Sequence, residues 1–255
     1  MDWTWLSHPI AKWGGTLLLA ILLALGVIIT TEYHTVNAAT IDLSWPNCNN
    51  LPHARYERVI IGVNGGLDFH PNPCAGNEAT LSGNYDLYAN TGDPGFPRIK
   101  DVGRGPLFCR GRNLVCYSYN YGYRAAQYSI RQARLAGLHA VRWWLDVEAD
   151  NSWTRSKRAN RADIRGMISA LKNTKFLHVS LGVYSAPPQW LAIVGHWQTK
   201  LPLWLGTGAS SASHAAARCS DSSLRGYPVV MTQYTKRNID FNFICKALPH
   251  KYFRF

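Results

Sequence analysis

Short runs rich in β-forming residues recur along this chain, and most of them are apolar throughout. They fall at 40–43, 58–63, 86–90, 115–119, 140–145, 178–184, 201–205 and 228–233. A strand with one wet face alternates polar and apolar residues, whereas a strand covered on both faces does not. The pattern therefore calls for a largely parallel sheet with helices packed over it. Helical periodicity lies between some of the runs. In 159–172, Ile164, Met167, Ile168 and Leu171 form one apolar stripe, and in 123–138 Ala126, Ile130 and Ala133 face away from Arg124, Arg131 and Arg134. Pro187 and Pro188 open a short helical stretch that continues over 189–194, with proline in the first turn.

Eight strands with interspersed helices in about 200 residues predict an α/β fold, an irregular (β/α)8 TIM-like barrel. A doubly wound open sheet is the alternative arrangement. No glycine-rich phosphate loop supports a nucleotide-binding version of it, since Gly62-x-x-Gly65-Gly66 lacks the required spacing. The barrel domain is expected over 39–247, with a basic, aromatic tail at 248–255.

Acidic residues are scarce, 15 against 27 Lys and Arg, so their positions carry information. Asp42 sits inside the first run. Asp146 and Glu148 close the apolar run that ends at Leu145, and Asp240 follows the last. In a barrel the carboxyl ends of the strands converge on one mouth, where chemistry takes place. Residues i and i+2 of a strand share a side, so Asp146 and Glu148 point together while Val147 packs behind. Two close carboxylates repel, one pKa rises, and the protonated partner becomes a general acid near neutral pH. Glycosidic cleavage uses such a pair: an acid for the leaving oxygen and a carboxylate to stabilise positive charge. Taken alone, Asp-x-Glu also fits a solvated strand end or a salt-bridge site. Asp42 and Asp240 tip the reading toward catalysis.

The N-terminal segment bears on the compartment. Residues 13–30 are almost wholly apolar, Lys12 precedes them, and Val36 and Ala38 stand where a signal peptidase requires small residues. Residues 1–38 are read as a signal peptide, with a retained membrane anchor as the rival. Either places the remainder outside the cytoplasm. All six cysteines lie beyond this segment, and an even number in an exported chain reads as disulfides. Short loop closure favours the neighbour set Cys48–Cys74, Cys109–Cys116 and Cys219–Cys245. There is no CxxC, HxH or HxxxH pair, so no metal or other cofactor is expected. No G-x-S-x-G elbow marks a serine hydrolase. The net charge of +12 suits an anionic partner, but no nucleic-acid motif is present.

The ordered set Ile41-Asp42-Leu43-Ser44-Trp45, Trp143-Trp144-Leu145-Asp146-Val147-Glu148, Gly182-Val183-Tyr184-Ser185, Leu203-Trp204-Leu205 and Gln233-Tyr234 followed by Asp240 resembles the family 25 glycoside hydrolases, the Chalaropsis-type lysozymes. It is closer still to a secreted glycoside-hydrolase-like branch, through Asp42–Cys48, Asn64–Gly66, Asn72–Cys74 and Tyr121–Tyr123. The resemblance spans about residues 40–245. It implies peptidoglycan or a related cell-envelope glycan as partner, Glu148 as general acid, Asp146 as its partner carboxylate, and Asp42 and Asp240 tuning charge at the rim. It also implies that Tyr184, Trp204, Gln233 and Tyr234 line the mouth or its wall. Asn64 and Asn90 fall at strand ends and are candidates for sugar hydroxyls. The segment 90–116 is longer and richer in Pro and Gly than in compact members, so the cleft is expected to differ in shape. A catalytically silent glycan-binding barrel is the competing expectation. The protein is expected to be a secreted or envelope monomer that touches membrane only through an uncleaved N-terminal segment.

Overall fold

A computed structural model describes residues 36–100, 105–174, 179–224 and 228–245. The segments expected as signal peptide and tail lie outside these residues, apart from 36–38, which belong to the first strand. The strands β1 (Val36–Leu43), β2 (Arg55–Gly62), β3 (Tyr85–Asn90), β4 (Arg142–Asp146), β5 (Ser180–Ser185), β6 (Leu203–Ala209), β7 (Val229–Lys236) and β8 (Ile239–Ile244) close into a barrel in sequential order. β1 to β7 pair in parallel, whereas β8 is antiparallel to both β7 and β1. The helices are α1 (Ala75–Ala79), α2 (Leu114–Leu135), α3 (Lys157–Lys172), α4 (Pro187–Val194) and α5 (Ala212–Ala217). Only α2 and α3 are long, so the expected irregular α/β barrel is observed.

Two expectations about elements fail. Residues 115–119 are not a strand but the start of α2. Their β-branched and aromatic content is overridden by packing, because Ser118, Tyr121, Gly122, Ala125, Ala126, Ser129 and Ala133 form one buried helical face. Asn113 caps the helix, its side chain accepting from the Cys116 amide at 3.2 Å. The eighth strand lies instead at Ile239–Ile244, entered from β7 through Arg237 and Asn238 with φ of 53° and 60°. Two successive positive φ values make the tight, twisted turn that joins antiparallel strands.

Side chains alternate between the helical layer and the barrel interior. Ile41, Val59, Ile61, Leu87, Trp143, Leu145, Leu181, Val183 and Leu203 belong to the outer core. Facing inward, the strands carry three successive kinds of residue. At the amino end, Asp86 takes Arg58 at 2.7 Å and Arg142 at 3.2 Å, forming an ionic floor. Next come Ile60, Tyr88, Trp144, Trp204 and Met231. Trp204 meets Trp144 edge-on at 5.7 Å and Tyr184 at 4.5 Å. Glycines make room for these rings. A Cβ on Gly182 would lie 2.2 Å from the Trp144 ring, and one on Gly206 2.7 Å from the Tyr184 hydroxyl. At the carboxyl end the inward residues turn polar.

The three disulfides join Cys48–Cys74, Cys109–Cys116 and Cys219–Cys245, as the spacing suggested. Outside the barrel, α2 and α3 cross closely through Gly122 and Gly166, whose missing Cβ atoms would sit 2.1 and 2.0 Å from the carbonyls of Asp163 and Tyr119. Beside this crossing lies a second acid group, Asp68, Asp93 and Asp163, with Tyr121 hydrogen-bonded to Asp68. Asp163 is fully buried and neither of its carboxylate oxygens has a hydrogen-bond partner. Burial, with Asp93 nearby, pushes Asp68 up to about 8 against the bond from Tyr121, while burial and both neighbours hold Asp163 well above the carboxylate range.

Candidate active site

The strand topology explains how four acids far apart in sequence meet. Asp42 is the penultimate residue of β1 and Asp146 the last of β4, so both reach the carboxyl mouth from parallel strands. Asp240 is the second residue of β8, and because β8 runs the other way its amino end is at that same mouth. Asp42 and Asp240 are direct cross-strand partners. Glu148 follows Asp146 by two residues and keeps to its side. The Trp153 indole donates to the Glu148 carbonyl at 2.7 Å, and the Gln189 side chain accepts from the Ala149 amide at 2.9 Å. These bonds fix the loop that carries Glu148.

A chain of neutral amides and hydroxyls holds the acids in place. Gln233 donates to both oxygens of Asp42, at 2.7 and 3.1 Å, and accepts from the Tyr184 hydroxyl at 2.7 Å. Asn242 donates to Asp42 at 3.3 Å and accepts from the Trp204 indole at 2.7 Å. Tyr184 also hydrogen-bonds Glu148. Asn90 donates to one oxygen of Asp146, whose other oxygen is buried without a partner. Thr235 donates to Asp240. Among the described residues, none of these four acids takes part in an ion pair.

The electrostatics follow from that neutral lining. Burial pushes Asp42 up to about 8, helped by Asp240 and opposed by the bonds from Gln233 and Asn242. Burial raises Asp146 well above the usual range, with Glu148 and Asp42 adding repulsion. Glu148 is raised by burial and by Asp150 and Asp240, and the bond from Tyr184 restrains the rise. Asp42, Asp146 and Glu148 thus each feel at least one other acid of the group. Such a mouth retains protons near neutrality and can deliver one to a bound leaving group.

The remaining expected residues divide by location. Asn90, Tyr184, Trp204 and Gln233 belong to the interior network described above. Asn64 stands just beyond β2, fully buried, and its amide is occupied by the Asn90 backbone in both directions, at 2.9 and 3.1 Å. It braces the end of β3. Tyr234 is on the opposite face of β7 from Gln233, stacked on Phe241 at 5.5 Å. Sequence reading missed Asn242 and Tyr88. Asn242 lies two residues beyond Asp240, a spacing that signals a shared face once β8 is recognised. Tyr88 fills the interior under Asn90, hydrogen-bonded to Ser44. Among the described residues, no cluster of three or more His, Cys, Asp or Glu is arranged to hold a metal ion.

A family model described as lysozyme-like protein 1 matches residues 114–221, from the start of α2 past α5. A family 25 glycosyl hydrolase from Bacillus anthracis superposes with a TM-score of 0.51 at 13% identity, over 85% of this chain and 93% of that one. The domain has the family 25 lysozyme-like barrel fold. A bacterial lysozyme from Streptomyces coelicolor aligns at 14% identity and a TM-score of 0.47, over 84% and 94% of the two chains. The catalytic domain of the endolysin ply40, from bacteriophage P40 of Listeria monocytogenes, aligns at 16% identity and 0.46, over 84% and 95%. No curated protein matches the chain.

Proposed function

We propose that this chain is an exported glycoside hydrolase acting on peptidoglycan or a related cell-envelope glycan. The observation that carries the reading is the pair Asp146 and Glu148 at the end of β4, facing Asp42 and Asp240, with no ion pair to any of the four among the described residues. Glu148 is the general acid. It is the more exposed of the pair, burial raises its pKa above that of an ordinary glutamate, and Tyr184 orients it. Asp146, held by Asn90, is the partner that positions the sugar beside it or acts as base. Asp42 and Asp240 set the charge of the pocket, and Gln233, Asn90, Tyr184 and Trp204 supply its polar and aromatic wall. Three disulfides support an oxidising, extracytoplasmic compartment. Among the described residues no helix is long and apolar enough to cross a membrane. Signal cleavage after Ala38 is compatible with the barrel, because the regular pairing of β1 with β2 resumes at Thr40 after an irregularity.

The test is product analysis by mass spectrometry after incubation with purified peptidoglycan. Glycan fragments with new reducing ends are expected from the wild type. Glu148→Gln should lower the rate by about 10²–10⁴ while the thermal midpoint stays put. A second reading, glycan binding without turnover, draws on the raised pKa of Asp146, since a protonated acid donates to a hydroxyl but does not stabilise positive charge. Saturable binding with no fragments, unaffected by Glu148→Gln, would establish that reading instead.

A further inference from the structure

Beside the mouth, the layer formed by α2, α3 and the Cys109–Cys116 loop is cationic to an unusual degree. No Asp or Glu occurs between Asp101 and Asp146. The first nine residues of α3 carry Lys157, Arg158, Arg161 and Arg165, and the helix's single acid, Asp163, is fully buried. The disulfide loop adds Arg110 and Arg112, both exposed and placed over Phe108 and Phe96 at 5.4 and 5.6 Å. This charge does not serve helix stability. Neither α2 nor α3 has an acid in its first turn, and cations at that end oppose the helix dipole.

The cations border a concave feature. A cavity of about 630 Å³ opens between the loop and the two helices, lined by Asn113, Tyr119, Arg158 and Arg165 among others, with no acid in its lining. Arg165 also lies over the Trp197 ring at 5.1 Å. Both helices start after the carboxyl ends of their preceding strands, so the cavity is on the mouth side of the barrel. Arginine predominates over lysine here, and its planar fork matches phosphate oxygens two at a time.

We infer that this face is a docking surface for a phosphodiester-linked polymer of the cell envelope, bound across Arg158 and Arg165. The inference rests on the envelope location proposed above. Oxidised cysteines put the domain where such a polymer, rather than nucleic acid, is the polyanion within reach. Docking there holds the wall beside the mouth without using any of the four acids.

The experiment measures binding of labelled poly(glycerol phosphate) to the full chain by fluorescence anisotropy over a series of salt concentrations. Affinity should fall steeply as salt rises, because bound phosphates release counterions. The double variant Arg158→Gln/Arg165→Gln should bind at least about tenfold more weakly, with a salt slope shallower by about two. Its thermal midpoint and its activity on short neutral glycan fragments should match the wild type. An equal loss of charge farther along α2, Arg124→Gln/Arg131→Gln, should leave binding within about twofold. Unchanged binding by the first variant overturns the inference. So does equal affinity of the wild type for a DNA oligonucleotide or for phosphatidylglycerol vesicles. Polymer binding with no hydrolysis of any wall glycan would sink the hydrolase reading and leave this surface standing.

Discussion

Asp68→Asn is expected to stabilise the protein, and to do so only as pH rises. In the folded chain Asp68 is pushed up to about 8 from an ordinary 3.8. Between those values the native state keeps a proton that the unfolded chain has lost, so wild-type stability must fall with increasing pH and level off above about 8. Each unit is worth about 1.4 kcal/mol, so the full displacement of roughly four units corresponds to about 5 kcal/mol. The Asp68 side chain is only partly buried by surface area, and water reclaims part of that sum; a difference of about 2–4 kcal/mol is expected. Asparagine keeps the shape and can still accept from Tyr121. Urea unfolding at about pH 4 and again at about pH 8.5 should show near-equal stabilities at the lower pH. At the higher pH the variant should be the more stable, and relief of Asp93 and Asp163 acts in the same direction. A stability difference that is the same at both pH values would refute this account of the acid group.

Three further outcomes follow from the barrel interior. Gly182→Ala places a methyl group 2.2 Å from the Trp144 ring, which is itself wedged against Trp204, and should cost about 3 kcal/mol or more in denaturant unfolding; an unchanged midpoint would mean that the interior is loosely packed. Asp86→Ala leaves Arg58 and Arg142 facing each other across the floor. Both guanidinium groups are partly exposed, so about 2–4 kcal/mol is expected rather than the full penalty of a sealed pair, again read by denaturant unfolding. Gln233→Leu removes two bonds that favour ionised Asp42, so its pKa should climb further above about 8 in a carboxyl-detected NMR titration. A fall would show that Gln233 does not set the charge of the mouth.

The acids were legible because they interrupt apolar runs, and a carboxylate ending such a run has few structural uses. The disulfides were legible because loops of 26, 7 and 26 residues bring neighbouring cysteines together with little chain to order. β8 was not, although Ile-Asp-Phe-Asn-Phe-Ile alternates cleanly. Its turn uses Arg237 and Asn238 rather than glycine, so no turn signal separates it from β7, and its polar residues face the interior. The start of α2 was obscured for the opposite reason: Val115, Tyr117 and Tyr119 favour strands locally, and only the packing of Ser118, Gly122 and Ala126 against α3 and the barrel decides for helix. The role of Asn64 was beyond sequence reasoning, since an asparagine at a strand end looks the same whether it meets a sugar or a backbone. Tyr234 could have been separated from Gln233 by period two alone.

The reversed closing strand has a consequence for biogenesis. Until Ile239–Ile244 slots between the first and seventh strands, Asp42 lacks its cross-strand neighbour and Asn242 is missing from beneath it. Those residues are also among the last of the barrel to leave the ribosome and to cross any export channel. A nascent or half-translocated chain therefore has an unfinished mouth, and the enzyme proposed here would gain the power to cut its own cell's wall only after the whole barrel had emerged outside.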